Sequence, residues 1–586
     1  MPFRGQPAFV FADLRGFPSD DKRIMSTEAA LLRTIRETPD DDTARLVFAD
    51  FIQEEGDADR GEFIRVQVAL ARLPEDDSAR RELEDCEHIL LAENEARWLG
   101  VPPDADGLTE WEFERGFLNE VAATPNFMLN EGADLCAAHP VRRWRVQCSQ
   151  QDMGEDLRLA GQRPWFRRLE SLDLAGWFEG IGELERFLVR ADFERLRELD
   201  LTDRPDLAEL PTVLERAPWR DRLKILRVGG RYGEGLDADY LARSLAVARL
   251  TELAVPGCQL TAQDIRGLMV ADCCQELTSL NIRDNQIEPD GWDAFRFGRC
   301  KLRELDLSGT PLGAIGLEDV LRQPALSELR RLELNRCGSA VANIRALAGS
   351  RFWTQAEELR MQAGTIPENA LDPLFASAGS PHLRVLDASE NFFRDAGVAG
   401  LCGARWADSL TWLGLTRNYL TDAALATLAA CPRLTRLRTL HLAYNNNHDQ
   451  EGAGRGDRIT DRGARALAES QHLANLRLLA LSGTDVTTAG LDAILNGASW
   501  QLSGLGLDGC DLNASAIRVL AESPALARLN WLDLGGHYNG IDANSLLPLA
   551  ESEHLSPMCE LNLRGTGIDA ETLTIFRDRL GRRLSE

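Results

Sequence analysis

The stretch LTWLGLTRNYLTDAALATLAACPRLTRLRTLHLAYN, residues 410–445, contains the same phrase twice, 27 residues apart. The phrase is an apolar residue, two variable residues, leucine, one variable residue and a second apolar residue. It occurs fifteen times between Leu169 and Leu563, and nearly every step between central leucines is 25 to 29 residues. A fixed period of this length predicts a stack of similar structural units. The central leucines are Leu172, Leu199, Leu226, Leu253, Leu280, Leu305, Leu332, Leu359, Leu386, Leu413, Leu440, Leu479, Leu505, Leu532 and Leu561.

Each unit is predicted to hold one strand and one helix. The phrase has a period of two, which is typical of a short strand. The segment at 420–434, LTDAALATLAACPRL, predicts the helix, and Thr421 or Asp422 is suited to cap its start. Five residues after the central leucine, ten units have a small side chain that can hydrogen-bond to the backbone of adjacent turns. These residues are Cys258, Asn285, Thr310, Cys337, Asn391, Asn418, Asn445, Thr484, Cys510 and Thr566.

The units resemble a known repeat. One strand and one helix every 27 residues are similar to the ribonuclease-inhibitor type of leucine-rich repeat, over roughly residues 150 to 586. The resemblance implies an α/β fold, a leucine-rich-repeat solenoid shaped as a horseshoe with a parallel inner sheet and outer helices. Strands stack about 4.8 Å apart whereas packed helices need about 8–10 Å, so the sheet takes the concave side. Fifteen strands would make an inner arc of roughly 70 Å, ample for a protein partner.

The chain is predicted to have four segments. Residues 1–24 lack periodicity and precede a second methionine, Met25, and we interpret them as a disordered leader or, alternatively, as sequence upstream of the natural start. Residues 25–124 are predicted to form a small, mainly helical domain. Residues 125–168 are interpreted as an atypical repeat that caps the start of the array, and residues 169–586 as the array of about 15 units. Both ends of the array then behave as caps, which an open stack requires.

The first domain carries a second resemblance. The run at 45–70, RLVFADFIQEEGDADRGEFIRVQVAL, together with Trp98 and the segment at 111–121, WEFERGFLNEV, resembles the small repeat-companion domain of planctomycete bacteria. In that family the domain precedes arrays of leucine-rich or other repeats. The resemblance implies a bacterial cytoplasmic protein and contributes no catalytic residues.

Charge and composition restrict the class of partner. The net charge of −27 and the pI of about 4.9 argue against nucleic acid, because phosphate neutralisation needs clustered cations. Residues 25–124 hold 10 Arg against 26 Asp and Glu, which gives −16 for that segment. Such an excess could steer a basic protein partner, and solubility alone is the alternative interpretation. No apolar run approaches the length of a membrane helix, so no membrane partner is predicted.

Sequence motifs give no sign of catalysis. The twelve cysteines include no CxxC pair, which is typical of reduced thiols and predicts a cytoplasmic location. The cysteines that follow the strands are interpreted as structural, and a metal or redox role is the weaker alternative because neighbouring histidines are missing. GxxxxGK, HExxH and GxSxG motifs do not occur in the sequence. We therefore predict a monomeric protein that is not an enzyme and has no cofactor.

Outward positions of the strands predict a docking patch. Residues that flank the strand leucines point away from the core, and in most units they are charged or small. A few aromatic and arginine side chains interrupt that pattern, and such side chains are the usual anchors of interfaces. In the alternative interpretation the tryptophans pack along the inner sheet and stabilise it. The predicted docking patch consists of Arg360, Trp412, Arg417, His441, Tyr444 and Trp531.

An insertion lies beside the patch. Between Asn445 and Ile459 the chain has thirteen residues where other units have one. Insertions in repeats emerge as loops on one rim, so residues 446–458 could fold over a bound partner. A mobile, tolerated loop is the alternative interpretation, which the glycine content favours.

The predicted function is a protein-binding scaffold that recruits one partner on the concave face of the array. An inhibitor that occludes a basic enzyme is the alternative within the same class. A third hypothesis is a regulator that activates a small GTPase, since some similar arrays do so. No motif in the sequence identifies residues that would complete a GTPase site.

Overall fold

The computed structural model describes residues 19–74, 79–103, 105–147, 154–176, 180–204, 206–230, 235–287, 289–312, 316–338, 341–446, 458–497, 499–510, 512–536, 541 and 545–585. The chain divides into two compact units, unit 1 at residues 1–144 and unit 2 at residues 145–586. None of the described helices has both the length and the apolar composition that a bilayer crossing requires.

Unit 1 consists of helices and one β-hairpin. The two hairpin strands are joined by Arg115 and Gly116, whose φ angles of 52° and 86° fit the tight turn that matches strand twist. The elements are α1 (Ser19–Glu37), α2 (Asp42–Glu54), α3 (Ala58–Arg72), α4 (Arg80–Leu99), β1 (Leu108–Glu114), β2 (Phe117–Ala123), α5 (Pro125–Asn130) and α6 (Gly132–Ala138). The next strand, β3 (Arg143–Val146), contains the boundary between the units.

Two predicted boundaries differ from the structure. Helix α1 begins at Ser19, inside the segment predicted to be a disordered leader. Unit 1 continues past the predicted end at residue 124, because α5 and α6 return to its core. The ring of His139, just after α6, accepts a hydrogen bond from the backbone N–H of Leu118 at 3.3 Å and meets the Phe113 ring edge-on at 6.1 Å. The predicted cap at 125–168 is therefore divided between the two units.

Unit 2 alternates short strands with helices. Its elements are α7 (Gly154–Ala160), β4 (Ser171–Asp173), α8 (Ile181–Arg190), β5 (Glu198–Arg204), α9 (Leu210–Arg216), β6 (Ile225–Gly230), α10 (Ala238–Ser244), β7 (Glu252–Ala254), α11 (Ala262–Val270), β8 (Ser279–Asn281), β9 (Glu304–Asp306), α12 (Gly316–Leu321), β10 (Arg331–Glu333), α13 (Val341–Gly349), α14 (Arg351–Gln355), β11 (Glu358–Arg360), α15 (Asp372–Ala376), β12 (Val385–Asp387), α16 (Arg394–Gly403), β13 (Trp412–Gly414), α17 (Asp422–Ala429), β14 (Thr439–His441), α18 (Asp461–Ala468), β15 (Leu478–Ala480), α19 (Thr488–Asn496), β16 (Gly504–Gly506), α20 (Ala514–Glu522), β17 (Trp531–Asp533), α21 (Leu547–Ala550), β18 (Glu560–Asn562), α22 (Ala570–Leu580) and β19 (Leu584–Ser585). Short 3₁₀ helices fill several connections, and Pro289–Phe297 stands where β8 leads to β9.

The strands of unit 2 form one parallel sheet. Each strand from β4 to β19 pairs with the next one along the chain, and the fifteen central leucines lie opposite one another in register. All fifteen are at most 3% exposed, because the helices cover that side of the sheet. The predicted leucine-rich-repeat solenoid of class α/β is confirmed. The final short strand, β19, was not predicted.

In ten of the units that the structure describes, a side chain at the bend between strand and helix donates a hydrogen bond to a backbone carbonyl. Asn285 is typical: its Oδ1 accepts hydrogen bonds from the backbone N–H groups of Cys258 and Leu260, at 3.1 and 2.9 Å. Its Nδ2 donates to the carbonyls of Val255 and Ile282, both at 2.9 Å. Three of these four partners belong to the preceding unit, so one side chain satisfies buried backbone groups of two units. The hydrogen-bonding role predicted for this position is confirmed.

Candidate protein-binding site

The strands of unit 2 expose one face of their sheet. In β4, β9 and β17 the central leucine is buried while the residues on both sides are partly exposed, as the alternation of a strand requires. We call the side opposite the buried leucines the open sheet face. Trp412 and Trp531 precede a central leucine and Arg360 and His441 follow one, so these four patch residues lie on that face. Arg417 and Tyr444 lie at bends, four residues after a central leucine.

Arg360, Trp412 and His441 form one group, which we call the Trp412 cluster. The guanidinium Cζ of Arg360 lies 5.2 Å from the centroid of the Trp412 ring, within the range of a cation–π contact. The Trp412 ring also packs against His441, with 5.1 Å between ring centroids and 38° between ring planes. Three side chains from β11, β13 and β14 therefore meet on the open sheet face.

Carboxylates orient Arg360 within the cluster. Its Nε donates to Glu358 on the same strand, and its Nη1 lies 3.7 Å from Asp387 Oδ2 on β12. Asp387 is 2% exposed, and its other oxygen accepts a hydrogen bond from the backbone N–H of Ser389 at 3.0 Å. With Glu333 Oε1 at 3.9 Å from Nε, three acids hold the guanidinium that lies over the Trp412 ring.

The absence of a side chain at Gly414 makes room for Trp412. A Cβ atom at Gly414 would lie 2.6 Å from Cη2 of Trp412 and 2.5 Å from Oδ1 of Asp387, closer than such atoms approach. The indole therefore extends over Gly414 of its own strand, and Trp412 stays partly exposed. Burial lowers the pKa of the neighbouring His441, although Asp387 opposes the shift. The lowered pKa favours the neutral imidazole at His441.

Arg417, Tyr444 and Asp508 form a second group, the Tyr444 cluster. The Arg417 guanidinium lies 5.2 Å from the centroid of the Tyr444 ring, and the Tyr444 hydroxyl donates a hydrogen bond to Asp508. The ring lies over Gly483, three residues after β15, where a Cβ atom would lie 2.3 Å from it. Tyr444 is 41% exposed. Partial burial and the hydrogen bond to Asp508 raise the pKa of Tyr444.

Trp531 stands apart from both clusters. Its ring lies across the neighbouring strand β16, where Cβ atoms at Gly504 and Gly506 would be 3.4 Å and 3.0 Å from ring atoms. The geometry agrees with the alternative interpretation for this residue, in which the tryptophan packs along the sheet. Five of the six predicted patch residues thus form two clusters, and among the described residues the sixth, Trp531, makes no ring or cation–π contact with either of them.

Several contributing residues were missed at the sequence level. Asp387 and Asp508 hold the two clusters, and glycines at outward positions leave space for the rings. A further stacked pair, Phe392 and Tyr419, follows the bends of neighbouring units with 5.3 Å between ring centroids and 16° between planes. Phe392 is 37% exposed. Phe392 and Tyr419 both lie six residues after the central leucine, in adjacent units. This shared position is the sequence signal that could have predicted the contact between their rings.

The insertion beside the clusters is described only at its ends. Asn446 Oδ1 accepts a hydrogen bond from the backbone N–H of Ile459 at 2.8 Å, and its Nδ2 donates to the Ile459 carbonyl at 3.2 Å. These bonds hold the two ends of the insertion together. Residues 447–457, which make up most of the predicted binding loop, lie outside the described residues.

The bend cysteines have structural surroundings. Burial raises the pKa of Cys258 to about 12 and those of Cys337 and Cys510 to about 11, which disfavours the reactive thiolate. In the described part of the chain, no group of three or more His, Cys, Asp or Glu side chains could hold a metal ion. Each thiol donates to a carbonyl of the preceding unit: Cys258 to Val228 at 3.5 Å, Cys337 to Leu307 at 3.1 Å and Cys510 to Leu481 at 3.2 Å.

Comparison with known proteins agrees with the repeat. A family model described as "Leucine Rich repeat" matches residues 273–295 and 299–321, in the units of Leu280 and Leu305. Among solved structures, an internalin (inlF) from Listeria monocytogenes is similar, with 20% identity and a TM-score of 0.37 over 62% of this chain and 86% of that chain. A structure of the Rad7 and Elc1 complex in yeast is similar with 21% identity and a TM-score of 0.39, over 56% of this chain and 79% of that chain. None of the curated proteins matches.

Proposed function

We propose that the protein is a non-catalytic scaffold that recruits a protein partner on the open sheet face of its repeat array. The observation that carries this proposal is the Trp412 cluster, in which aromatic and cationic side chains are assembled and partly exposed. Such side chains are the usual hot spots of protein interfaces. Because Arg360 is already held by Glu358 and Asp387, little side-chain freedom is lost when a partner binds.

The extent of the surface suits a macromolecule. The Trp412 cluster spans β11 to β14, and the Tyr444 cluster begins at the bend that follows β14 and ends at Asp508, two residues after β16. With Trp531 on β17, the patch crosses seven strands, or roughly 29 Å at the spacing of a sheet. A surface of this width is on the scale of a protein interface of about 800 Å² per partner.

Charge and cysteine chemistry complete the proposal. A net charge of −27 favours a basic partner, because complementary charge accelerates encounter. The cysteines that the structure describes form no disulfides, which is typical of a reducing compartment, and we place the protein in the cytoplasm as a monomer. The resemblance of residues 25–124 to the planctomycete repeat-companion domain stays a prediction.

Site-specific photocrosslinking tests the proposal. Thr439 on β14 lies opposite Trp412 in the sheet register, whereas Arg465 is exposed on helix α18. With benzoylphenylalanine in place of Thr439, we expect a discrete crosslinked partner in extracts of the source cells. The same amino acid in place of Arg465 should give none. Equal yields from the two positions would contradict docking on the open sheet face.

Substitution of the anchors provides the second part of this test. In the Thr439 crosslinker background, Trp412→Ala or Tyr444→Ala should lower the crosslinked yield on the order of tenfold or more, as loss of a hot spot implies. Phe297→Ala is the matched control, because Phe297 is 50% exposed on the helical side of the array. If Trp412→Ala and Phe297→Ala gave the same yield, the Trp412 cluster would not be the docking site.

A further inference from the structure

Two aromatic rings of the docking patch already have a cation of the protein over them. Arg360 lies over Trp412, and Arg417 lies over Tyr444, each at 5.2 Å from the ring centroid. Trp531 is the third large aromatic side chain of the patch and is also partly exposed. Among the residues that the structure describes, no arginine or lysine lies over its ring. The Trp531 ring therefore differs from those of Trp412 and Tyr444 in having no cation of the described residues over it.

Carboxylates surround this ring. Asp533 follows Trp531 by two residues on β17, and Glu560 on β18 lies opposite Trp531 in the sheet register and is exposed. Asp508 comes two residues after Gly506, which lies beneath the edge of the Trp531 ring, and its charge acts on Asp533. Within the described ranges none of the three carboxylates forms an ion pair, although cations balance many other acids of this sheet.

The hydrogen bonds of these acids leave their charge unbalanced. Asp533 Oδ1 accepts from Asn562 Nδ2 at 2.7 Å and from the backbone N–H of Gly535 at 3.1 Å, and Asp508 accepts from the Tyr444 hydroxyl. All these donors are neutral. Partial burial and the nearby charge of Asp508 raise the pKa of Asp533. A cation placed between the two carboxylates would relieve this repulsion.

We propose that Trp531, Asp508 and Asp533 form a receptor for an arginine side chain on a basic segment of the protein partner. The proposal deepens the proposed function and rests on it. A planar guanidinium can stack on the indole and donate to both carboxylates at once, which the compact ammonium of lysine cannot do. The arrangement repeats, with a residue of the partner, the contact that Arg360 makes with Trp412 and Asp387 within this chain.

Fluorine NMR of the full chain labelled with 5-fluorotryptophan gives a direct test. The Trp531 resonance is assigned by its loss in Trp531→Phe, and the Trp412 resonance by its loss in Trp412→Phe. The probes are a short glycine- and serine-based peptide that contains arginine and the same peptide with the neutral isostere citrulline. We expect the arginine peptide to shift the Trp531 resonance and to leave Trp412, whose ring already holds Arg360, in place.

Loss of charge should weaken this response. Citrulline in the peptide, or Asp533→Asn in the protein, is expected to lower the affinity roughly tenfold, because a charge-assisted pair becomes neutral. Asp306→Asn is the matched control: Asp306 has the same strand position on β9 and accepts the same type of backbone hydrogen bond, from Ser308 at 2.8 Å. The proposal is overturned if the Trp531 resonance does not move at about millimolar arginine peptide. Equal affinities for the arginine and citrulline peptides would also overturn it.

The two proposals fail in distinguishable ways. A partner crosslinked from Thr439 together with an unmoved Trp531 resonance would leave docking on the open sheet face intact and remove the arginine receptor. A shifted Trp531 resonance without any crosslinked partner would show a cation subsite on a face that recruits no protein, and would remove the proposed function.

Discussion

Single residues connect adjacent units through buried hydrogen bonds. Asn445 Oδ1 accepts from the backbone N–H groups of Asn418 and Leu420 at 2.7 and 3.1 Å, and its Nδ2 donates to the carbonyls of Leu415 and Leu442 at 3.0 and 2.7 Å. The side chain is 2% exposed, so water cannot replace it. Each of these groups would be an unsatisfied polar atom in the core if the amide were absent.

Asn445→Ala should therefore lower the free energy of unfolding of the array by about 2–4 kcal/mol, because several buried backbone groups lose their partner. Asn445→Cys should cost less, since a thiol at this position can donate to the preceding unit as Cys510 donates to Leu481. Urea unfolding measures both changes. Asn475→Ala is the control, because Asn475 is exposed and its one hydrogen bond goes to the Thr435 carbonyl. Equal losses at Asn445 and Asn475 would contradict the argument.

Helices are connected at their N-termini by a recurring pair of threonine and aspartate. Thr460 caps α18 through the backbone N–H of Arg462, and its own hydroxyl donates at 2.8 Å to Asp422 in the first turn of α17. Asp422 also accepts from the backbone N–H groups of Thr460 and Gly463, at 2.8 and 2.9 Å. Thr421 caps α17 itself, which confirms the prediction for that residue, whereas Asp422 serves the next helix.

Asp422→Ala should thus destabilise α18 more than α17, the helix to which Asp422 belongs. We expect the array to lose about 1–3 kcal/mol, because the first turn of α18 loses three hydrogen bonds. Hydrogen exchange followed by mass spectrometry should show faster exchange in residues 461–468. Asp492→Ala, at an exposed position on α19, is the control. Faster exchange confined to α17 would be the contrary outcome.

Both units of the molecule contain ionisable groups with shifted pKa values: burial raises the pKa of Glu112 in unit 1 and lowers that of His441 in unit 2. In unit 1, burial and the charge of Arg60 lower the pKa of His139 to about 3, although the carbonyls of Leu99 and Trp98 oppose the shift. In unit 2, burial and neighbouring acids raise the pKa values of Asp200, Glu333 and Asp533. A histidine with a lowered pKa binds its proton more weakly in the folded state than in the unfolded state, so a fall in pH lowers stability. A carboxyl group with a raised pKa binds its proton more tightly in the folded state, so a fall in pH raises stability.

Titration of His139 should therefore destabilise unit 1 as the pH falls. Between pH 6.5, the ordinary pKa of histidine, and about pH 3, His139 is protonated in the unfolded state and neutral in the folded state. The loss from this group is at most roughly 5 kcal/mol. The raised carboxyl pKa values add stability to unit 2 as pH falls through them. Urea unfolding at several pH values, with hydrogen-exchange pulses at one fixed pH, resolves the two units.

His139→Asn is the matched variant for this experiment, because asparagine retains an acceptor for the N–H of Leu118 and does not titrate. It should remove most of the pH dependence of unit 1 and leave that of unit 2 unchanged. A pH dependence of unit 1 that was the same with and without the substitution would exclude His139 as its origin.

Prediction from the sequence succeeded where the cause is local. Spacing within a single unit is enough to predict the central leucine, the strand around it and the bend residue. The same pattern therefore predicts the same local structure in each unit. Positions such as Trp412 and His441 could be placed on the exposed face for the same reason, since alternation in a strand is local. Domain limits were less accurate, because the contact of His139 with Leu118 joins residues from separate elements.

The period of the leucines by itself determined that this chain is a solenoid with a parallel sheet and one exposed sheet face, because apolar residues at that spacing can be buried only when the units stack. Only the tertiary structure decided which exposed side chains meet. Arg360 reaches Trp412 across β12, and Tyr444 reaches Asp508 above Gly483. Such contacts depend on the size of the side chains on the strands between them and on the register of the sheet, and neither effect leaves a periodic signal in the sequence.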